Sequence, residues 1–441
     1  KEKNGDYVLY WMQSSQRREY NHALEYSILK ANSLGNPIIV FFGLTDNFPN
    51  ANIRNYSFML EGLYDVEKSL ERDGIKFVIQ KKSPEIGVVE ISKDASLVIV
   101  DRGYQRIERK WRTYVSKNID CPLVEIETNT VVPIEEVSKK EEYAAATIRP
   151  KIMKILGQYL VPLNPNKPLI NSLSMNFDSL DLEDMESIIK SLKIDTGVGV
   201  APNLFGGTSE AKSHLELFIK NKLDRYNDLR NNPNLDYLSK MSPYLHFGQI
   251  SPLYVALKVL QTDSPGKDSY LEELIVRREL SMNYVYFNSS YDSFSGLPDW
   301  CKRTLSFHEK DTREYIYSMK DFENANTHDP YWNAAQNELV YTGKMHGYMR
   351  MYWGKKIIEW TSSPNEAYEI CLYLNNKYEV DGRDANGYTG VAWCFGKHDR
   401  PWSERKIFGN VRYMNDKGLK RKFDPDAYAK KINDYISSNK S

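Results

Sequence analysis

The length, composition and charge of the chain limit what it can be. The sequence has 441 residues, 41% of them hydrophobic, which predicts a globular protein of two domains, since one core seldom extends over so many residues. No run approaches the roughly 18 apolar residues of a membrane-spanning helix, and the N-terminus lacks a signal-peptide core, so we expect an intracellular protein with no membrane partner. The four cysteines lie far apart without metal-ligand spacing, which predicts free thiols and no metal site.

The net charge is zero, with 59 basic and 59 acidic residues, and taken alone this argues against a nucleic-acid partner. The charges are unevenly spread, because residues 393–424 have nine Lys or Arg against four Asp or Glu, whereas residues 171–195 have two against six. A neutral protein with a basic face can bind a polyanion. The charge pattern therefore leaves open both a nucleic-acid surface and two merely solvated segments.

Residues 1–157 alternate short apolar runs with amphipathic stretches. The apolar runs are typical of buried parallel strands and lie at residues 7–12, 37–44, 76–80, 97–101 and 123–128. Strands that alternate with helices predict a doubly wound α/β domain, in which ligands bind at the carboxyl ends of the strands. Neither GxGxxG nor GxxxxGK[ST] follows any of these runs, which argues against a dinucleotide dehydrogenase and a P-loop ATPase.

Residues 158–205 are predicted to be a connector that lies on the surface. They contain the proline-rich VPLNPNKPLINSLS, an acidic patch and the glycine-rich GVGVAPNLFGG. From residue 206 to residue 441 the strand pattern disappears, and helical periodicity recurs from SEAKSHLELFIKNKLDRY to PDAYAKKINDYI. This half of the chain is predicted to be all-helical.

Two segments of the helical half could hold a polar ligand. Ser242-Pro243 and Ser251-Pro252 predict two helix N-termini, with Ser as N-cap and Pro as the first helical residue, and helix N-termini can bind a diphosphate. In NNKYEVDGRDANGY (375–388), Asn, Asp and Arg lie among glycines and could bind a polar heterocycle around a buried arginine. Taken alone, the first segment could equally be plain helix caps and the second a solvated turn.

These two segments and the stretch between them resemble the photolyase/cryptochrome flavoproteins. Within that superfamily, four segments resemble the class II cyclobutane pyrimidine dimer photolyases: WNAAQ (332–336), TGKMHGYMRMYWGKKIIEW (342–360), LNNKYEVDGRDANGY (374–388) and VRYMNDKGLKRKFD (411–424). QSSQRREYNHAL and YAAATIRPK (143–151) fit the same family, so the resemblance covers most of the chain. It is most specific from about residue 224 to residue 424. It implies the photolyase fold, an α/β domain followed by a helical FAD-binding domain.

The resemblance implies a reduced, anionic FAD in the helical domain. The implied cofactor-binding residues are Tyr226 and Arg230 over the cofactor, Ser239, Met241 and Ser242 at its diphosphate, and Arg350, Asn375, Asp381 and Asp384 around the ring and ribose. Arg350 is expected to pair with Asp381, since a cation favours the anionic flavin and a carboxylate fixes the cation. Asn375 is expected beside flavin N5, because Gly387 stands where other photolyase classes have an asparagine.

The implied partner is UV-damaged DNA, duplex or single-stranded, whose cyclobutane dimer is flipped into a cavity beside the flavin. Family analogy places Glu273, Met351 and Trp393 in the wall of that cavity and makes them, with Asn375, the catalytic set. Glu273 would hydrogen-bond a pyrimidine carbonyl as charge develops there, and the alternative is a salt bridge within LEELIVRREL. Arg277 departs from relatives that have Trp at or near this position, which leaves the packing of the lesion there open.

Two further sets of residues acquire roles from the resemblance. Trp332, Trp353 and Trp360 would relay an electron from the surface to photoexcited oxidised flavin, and the alternative is plain core packing. Arg400, Trp402 and Arg412 would bind DNA, the ring filling the gap left by the flipped dimer and the guanidiniums contacting phosphates or orphaned bases.

The resemblance therefore implies a monomeric, light-driven DNA repair lyase of the cytoplasm or nucleus. The α/β domain would seat an optional antenna chromophore, for which deazaflavin and folate both remain open. A cryptochrome-like signalling flavoprotein is the alternative, because it would share the fold and FAD without needing the lesion-side residues. A helical DNA-binding protein without flavin would explain the basic segment alone.

Overall fold

In a computed structural model of the protein, which describes residues 3–439, the first part of the chain is built on a parallel sheet. Its strands are β1 (Tyr7–Trp11), β2 (Ile38–Gly43), β3 (Lys76–Gln80), β4 (Ala95–Asp101) and β5 (Leu123–Ile126). Their order is β3-β2-β1-β4-β5, and Leu9 of β1 pairs with Ile39 of β2 on one side and Val98 of β4 on the other. Every residue of β1, β2 and β4 is buried, because both faces of the sheet are covered. The predicted strands and the doubly wound α/β architecture are confirmed.

Helices pack on both faces of the sheet. They are α1 (His22–Leu34), α2 (Ile53–Arg72), α3 (Pro84–Ile91) and α4 (Arg106–Asn118). The next two helices, α5 (Ile134–Val137) and α6 (Ala145–Tyr159), bury their apolar residues in cores shared with the helical half. Helices α1 and α2 share one core with Val8 and Tyr10, and helices α3 and α4 share the other with Leu9 and Trp11. The alternation along β1 thus divides the domain into its two layers.

The predicted connector lies against the α/β domain for much of its length. The hydroxyl of Ser172 donates to the carbonyl of Ile38 at 2.7 Å, and the N–H of Ile53 donates to the carbonyl of Asp195 at 2.9 Å. A 3-10 turn, Leu182–Asp184, and the short helix α7 (Met185–Ser191) interrupt the connector, and both pack on α2. The domain limits of 1–157, 158–205 and 206–441 stay predictions.

From residue 206 to residue 439 the described chain is helical and contains no β-strand. Its helices are α8 (Thr208–Asn221), α9 (Tyr226–Leu229), α10 (Ser242–His246), α11 (Pro252–Leu260), α12 (Lys267–Leu271), α13 (Arg278–Phe287), α14 (Asp299–Phe307), α15 (Met319–Glu323), α16 (Pro330–Thr342), α17 (Gly347–Trp360), α18 (Pro364–Tyr378), α19 (Ala385–Cys394), α20 (Asp416–Lys420) and α21 (Pro425–Asn439). A π-helical turn, Glu272–Arg277, joins α12 to α13. The predicted helical half is confirmed.

Two local expectations differ from the structure. Ser251 caps α11 as expected, but Ser242 does not cap α10, because Met241 is already helical and the helix starts one residue early. The segment 375–388 is not one loop, since Asn375 lies in the last turn of α18 and α19 begins at Ala385. Because this segment is rich in glycine and polar residues, its sequence pattern did not reveal the end of α18 or the start of α19.

All four cysteines are buried and free, as expected. Within residues 3–439, no helix is long and apolar enough to cross a membrane. The same residues contain no group of three or more His, Cys, Asp or Glu that could hold a metal ion.

Candidate functional site

Four charged side chains meet where α17 begins and α18 ends. The Nζ of Lys344 lies 2.7 Å from Asp381 Oδ1, 2.9 Å from Glu379 Oε2 and 3.0 Å from the hydroxyl of Ser242. The guanidinium of Arg350 contacts Glu379 and donates to Asn375 Oδ1 at 2.6 Å. Two cations thus balance two carboxylates in a site of restricted solvent access, with an amide and a hydroxyl beside them.

The expected ion pair between Arg350 and Asp381 is wrong, because each residue pairs with a different partner. Arg350 pairs with Glu379, whose Oε1 also accepts the N–H of Met345 at 3.2 Å, while Asp381 pairs with Lys344. Glu379 directly follows the last residue of α18 and is fully buried, and its carboxylate faces Arg350 of α17. Neither Lys344 nor Glu379 was predicted from the sequence, although they lie within the quoted segments 342–360 and 374–388.

The shifts in the pKa values of Asp381, Lys344 and Glu379 indicate which of these side chains stay charged. Burial works to raise the pKa of Asp381, but Lys344 holds that pKa well below its usual range. Burial likewise works to lower the pKa of Lys344, and Asp381 and Glu379 together raise it above its usual value. Burial raises the pKa of Glu379 in spite of Arg350 and Lys344. The Lys344–Asp381 pair is therefore ionised over the whole neutral range.

Asn375 and Gly387 face each other across α18 and α19. A Cβ placed on Gly387 would lie 3.0 Å from Asn375 Nδ2, tighter than an ordinary contact. Gly387 therefore leaves room for the Asn375 amide, which fits the expectation that this amide replaces an asparagine at position 387. The role of Asn375 beside the flavin stays a prediction.

Arg230 joins two sets of predicted residues. Its guanidinium lies 2.7 Å from Glu273 Oε1 and its Cζ is 5.4 Å from the centre of the Tyr226 ring. The Nε of Arg230 is buried and has no hydrogen-bond partner in the described part of the chain, which leaves a donor for a ligand. The alternative of a salt bridge within LEELIVRREL applies to Glu272, which pairs with Arg277, and not to Glu273.

The remaining predicted cofactor residues, Ser239, Met241 and Asp384, lie in two places. Met241 is buried, and the hydroxyl of Ser239 accepts its N–H at 3.4 Å just before α10. The carboxylate of Asp384 has other partners than that of Asp381: it contacts His246 Nδ1 at 3.0 Å and caps α19 by accepting the N–H of Asn386. Asp384 also lines a cavity whose walls do not include Lys344, Arg350 or Asp381, and which is called the second cavity to distinguish it from the site around Lys344.

That second cavity lies at the carboxyl ends of β1 and β2, where the doubly wound fold predicts a ligand. It encloses about 1040 Å³ of empty space, including its solvent-filled mouth, between the sheet and the helical half. Its lining includes Phe48, Tyr56, Trp111, Gln13, Glu108, His246 and Asp384. Gln13 is 9% exposed, and neither polar atom of its amide has a partner in the described residues. An unsatisfied buried amide indicates a polar ligand here.

The three predicted relay tryptophans form a contiguous array. Trp332 and Trp353 stack with ring centres 6.4 Å apart and planes 6° apart, and Trp332 meets Trp360 edge-on at 6.1 Å. The order is therefore Trp353, Trp332, Trp360. Tyr317 continues the array, with its ring centre 5.7 Å from that of Trp360.

The predicted lesion and DNA residues lie on accessible surfaces. Trp393 is 39% exposed at the end of α19, and Met351 of α17 is partly buried. Trp402 is 41% exposed, and the guanidiniums of both Arg400 and Arg412 lie against its ring. The structure therefore brings the three predicted DNA-binding residues together.

Comparison with known proteins identifies the family of the chain. Residues 8–169 match the family model described as DNA photolyase. A deoxyribodipyrimidine photo-lyase from Methanothermobacter thermautotrophicus is 52% identical over 97% of this chain and 95% of its own length. The deoxyribodipyrimidine photo-lyase of Arabidopsis thaliana is 40% identical over 98% of this chain and 90% of its own length. The chain belongs to the DNA photolyase family.

Solved structures agree on the fold. A class III photolyase from Agrobacterium tumefaciens covers 98% of this chain and 87% of its own, with a TM-score of 0.75 and 18% identity. A cryptochrome from Synechocystis sp. PCC6803 covers 96% of this chain and 87% of its own, with a TM-score of 0.74 and 15% identity. The expected photolyase fold is confirmed. Because photolyases and cryptochromes share it, the fold by itself does not separate repair from signalling.

Proposed function

We propose that the chain is a class II cyclobutane pyrimidine dimer photolyase, which uses light to split dimers in UV-damaged DNA. The observation that carries this proposal is the junction at Arg230, where residues expected on the cofactor side and on the lesion side are ion-paired at 2.7 Å. The names of the relatives support it at 40% and 52% identity over nearly the whole chain. Asn375 beside Gly387 and the order of the three tryptophans support the assignment to class II.

The residues present fit FAD as the cofactor. The orphaned Nε of Arg230 and the charge-balanced set around Lys344 offer donors to a polar, anionic ligand. Ser242, Lys344, Arg350 and Asn375 would hold the cofactor, with Tyr226 and Met241 packing beside it. When bound, reduced FAD would supply the electron that blue light transfers to the dimer. The ion pairs on Lys344 and Arg350 keep both cations fixed, so they need not reorganise when charge moves.

On the substrate side, the Arg230–Glu273 pair would present guanidinium N–H donors to a pyrimidine carbonyl, with Glu273 holding the guanidinium in place at 2.7 Å. Met351 and Trp393 would supply apolar contact to the flipped bases. A donor aimed at a carbonyl stabilises negative charge that develops there.

The second cavity would seat an antenna chromophore. Its walls carry the flat rings of Phe48, Tyr56 and Trp111, with the charged side chains of Glu108, Arg383 and Asp384 beside them. A planar heteroaromatic molecule suits these rings, so deazaflavin and folate both remain candidates. The free amide of Gln13 would bind its polar edge.

A light-driven repair assay tests the proposal. The purified chain, loaded with FAD and reduced, is incubated with dimer-containing DNA, duplex or single-stranded, in blue light and in darkness. Dimers should disappear in light alone, on both substrates. If the FAD-loaded protein leaves dimers intact in light, the cryptochrome-like signalling alternative replaces the repair proposal.

A further inference from the structure

Beneath the segment that carries the predicted DNA-binding residues lies a histidine with two carboxylate partners. His308 follows the last residue of α14 and is 8% exposed. Its Nδ1 lies 2.6 Å from Asp311 Oδ2 and its Nε2 lies 2.9 Å from Glu404 Oε1. Asp311 is local to the helix end, whereas Glu404 is two residues from Trp402. His308 therefore joins the helical body to the DNA-facing segment.

We infer that His308 is a positioning residue for DNA binding, which holds the loop of residues 402–411 so that Trp402 can enter a lesion-containing duplex. The inference rests on the proposed function, because it gives a role to residues beyond the proposed DNA contacts. His308 itself would not contact DNA.

The loop is closed at its base and fixed to α14 at several points. The N–H of Trp402 donates to the carbonyl of Asn410 at 2.8 Å, and the Asn410 amide donates back to the carbonyl of Trp402 at 3.0 Å. The N–H of Asn410 donates to the hydroxyl of Thr304 at 2.9 Å. Trp402 therefore sits at a closed neck of the loop, and His308 holds the loop through Glu404, two residues beyond Trp402.

Backbone strain in the loop makes the Asp311 contact necessary. Ile407 has a φ of +69°, a left-handed conformation that a β-branched residue rarely adopts. Its N–H donates to Asp311 Oδ2 at 2.8 Å, the same oxygen that contacts His308. His308 thus orients the carboxylate that holds the strained turn, as well as the carboxylate on the loop.

The packing of the loop on His308 is close enough to be specific. Gly409 has a φ of +52°, and a Cβ placed on it would lie 2.0 Å from Thr304 Oγ1 and 2.8 Å from His308 Cδ2. Only glycine lets the backbone approach α14 this closely. A displacement of His308 would therefore be transmitted directly to the loop backbone.

The charges around His308 give the contact a pH dependence. Burial works to lower the pKa of His308, but Asp311 and Glu404 raise it above its ordinary value. The other charged groups nearby are Lys406 and Arg313, which both face Asp311. Because the folded-state pKa is raised, the contact is fully present below the ordinary histidine pKa of 6.5 and is lost as pH rises through the raised value.

The test compares His308→Gln and Glu404→Gln with the matched control Glu309→Gln, an exposed neighbour of His308. The probes are a fluorescent duplex with one thymine dimer and a single strand with the same dimer. Each target variant should bind the duplex about fivefold to tenfold more weakly, the size expected from one charge-assisted hydrogen bond. Binding and repair of the single strand should stay at the wild-type level, as should all properties of Glu309→Gln.

The pH profile is the second readout. Duplex affinity of the wild type should fall as pH rises above neutrality, whereas that of His308→Gln should not show this fall. The inference is overturned if both target variants keep wild-type duplex affinity and pH profile, or if they lose duplex and single-strand binding equally. A wild type that repairs neither substrate would instead overturn the proposed function, so the two failures are distinguishable.

Discussion

The guanidinium carbon of Arg412 lies 5.1 Å from the centre of the Trp402 ring, and that of Arg400 lies 5.7 Å from the same ring. The indole is 41% exposed, so the two cations hold a large apolar surface at the protein boundary. The Trp402 Nε1 also donates to Asp399 at 3.3 Å. The ring is therefore held in place by neighbouring side chains, which would lower the entropy cost of the proposed insertion into DNA.

Trp402→Ala should weaken binding to a dimer-containing duplex more than binding to the same dimer in a single strand. The duplex has a gap to fill once the dimer is flipped, and the single strand has none. Arg412→Ala should act differently and lower the slope of log affinity against log salt by about one, if it contacts one phosphate. Anisotropy titrations at several salt concentrations measure both, with Arg421→Ala as an exposed basic control. Equal losses on both substrates would show that Trp402 only packs the fold.

Lys344→Met or Asp381→Asn should reduce FAD retention, because each leaves a charged partner uncompensated beside the cofactor. We expect less than half of the wild-type flavin absorbance per protein after gel filtration, on the order of a tenfold loss in affinity. The double variant should recover thermal stability without recovering flavin. Lys377→Met, which breaks the Lys377–Glu323 pair elsewhere, is the matched control. Full flavin occupancy in both single variants would refute the placement of this pair.

Trp360→Phe and Trp332→Phe should slow the photoreduction of oxidised FAD by an external donor by at least about tenfold, since each interrupts the stacked array. Repair by chemically reduced protein should survive, because the repairing electron starts on the flavin. Transient absorption and steady photoreduction measure the first effect, and dimer counting measures the second. Trp300→Phe serves as a tryptophan control outside the array. Unchanged photoreduction in both variants would show that the three tryptophans only pack the core and do not relay an electron.

Glu279→Gln should remove part of the pH dependence of stability. Glu279 is fully buried and its Oε1 accepts the N–H groups of Val131 and Val132 at 2.7 and 3.0 Å. Burial raises its pKa from 4.5 to about 8, so its contribution to stability is present at low pH and is lost as pH rises toward that value. The melting temperature of the wild type should fall relative to Glu279→Gln between pH 6 and pH 9, as followed by thermal denaturation. Parallel curves would contradict the raised pKa.

Gln13→Leu should weaken binding of an antenna chromophore in the second cavity without changing FAD content. Neither polar atom of the Gln13 amide has a partner in the described chain, so its loss removes a hydrogen bond to the ligand and no side-chain hydrogen bond within the protein. Equilibrium dialysis with a deazaflavin and with a reduced folate measures the change. Ser83→Ala, near the cavity but not lining it, is the control. Equal chromophore binding by the wild type and Gln13→Leu would show that the chromophore does not bind at Gln13.

The sequence predicted local structure correctly where a pattern of residues is compatible with one kind of secondary structure. The apolar runs around Val8, Ile39 and Val98 predicted parallel strands because a strand buried on both faces needs apolar residues at every position. Ser251-Pro252 and Ser242-Pro243 both predicted a helix start correctly, but only Ser251 caps its helix, because α10 begins at Ser242 itself and Met241 occupies the cap position. The dipeptide alone does not carry that difference.

What the sequence determined by itself was the family and the two architectures, because both depend on patterns that are local in the chain. Only the tertiary structure decided which charges pair. Arg350 could meet Asp381 or Glu379, two residues apart in sequence, and the geometry of α17 against the end of α18 selects Glu379 and leaves Asp381 to Lys344. The choice depends on distances of a few ångströms between segments remote in the chain, and Coulomb energy at partly buried sites is sensitive to that scale. The same holds for His308, whose partner Glu404 is 96 residues away and meets it only in the folded protein.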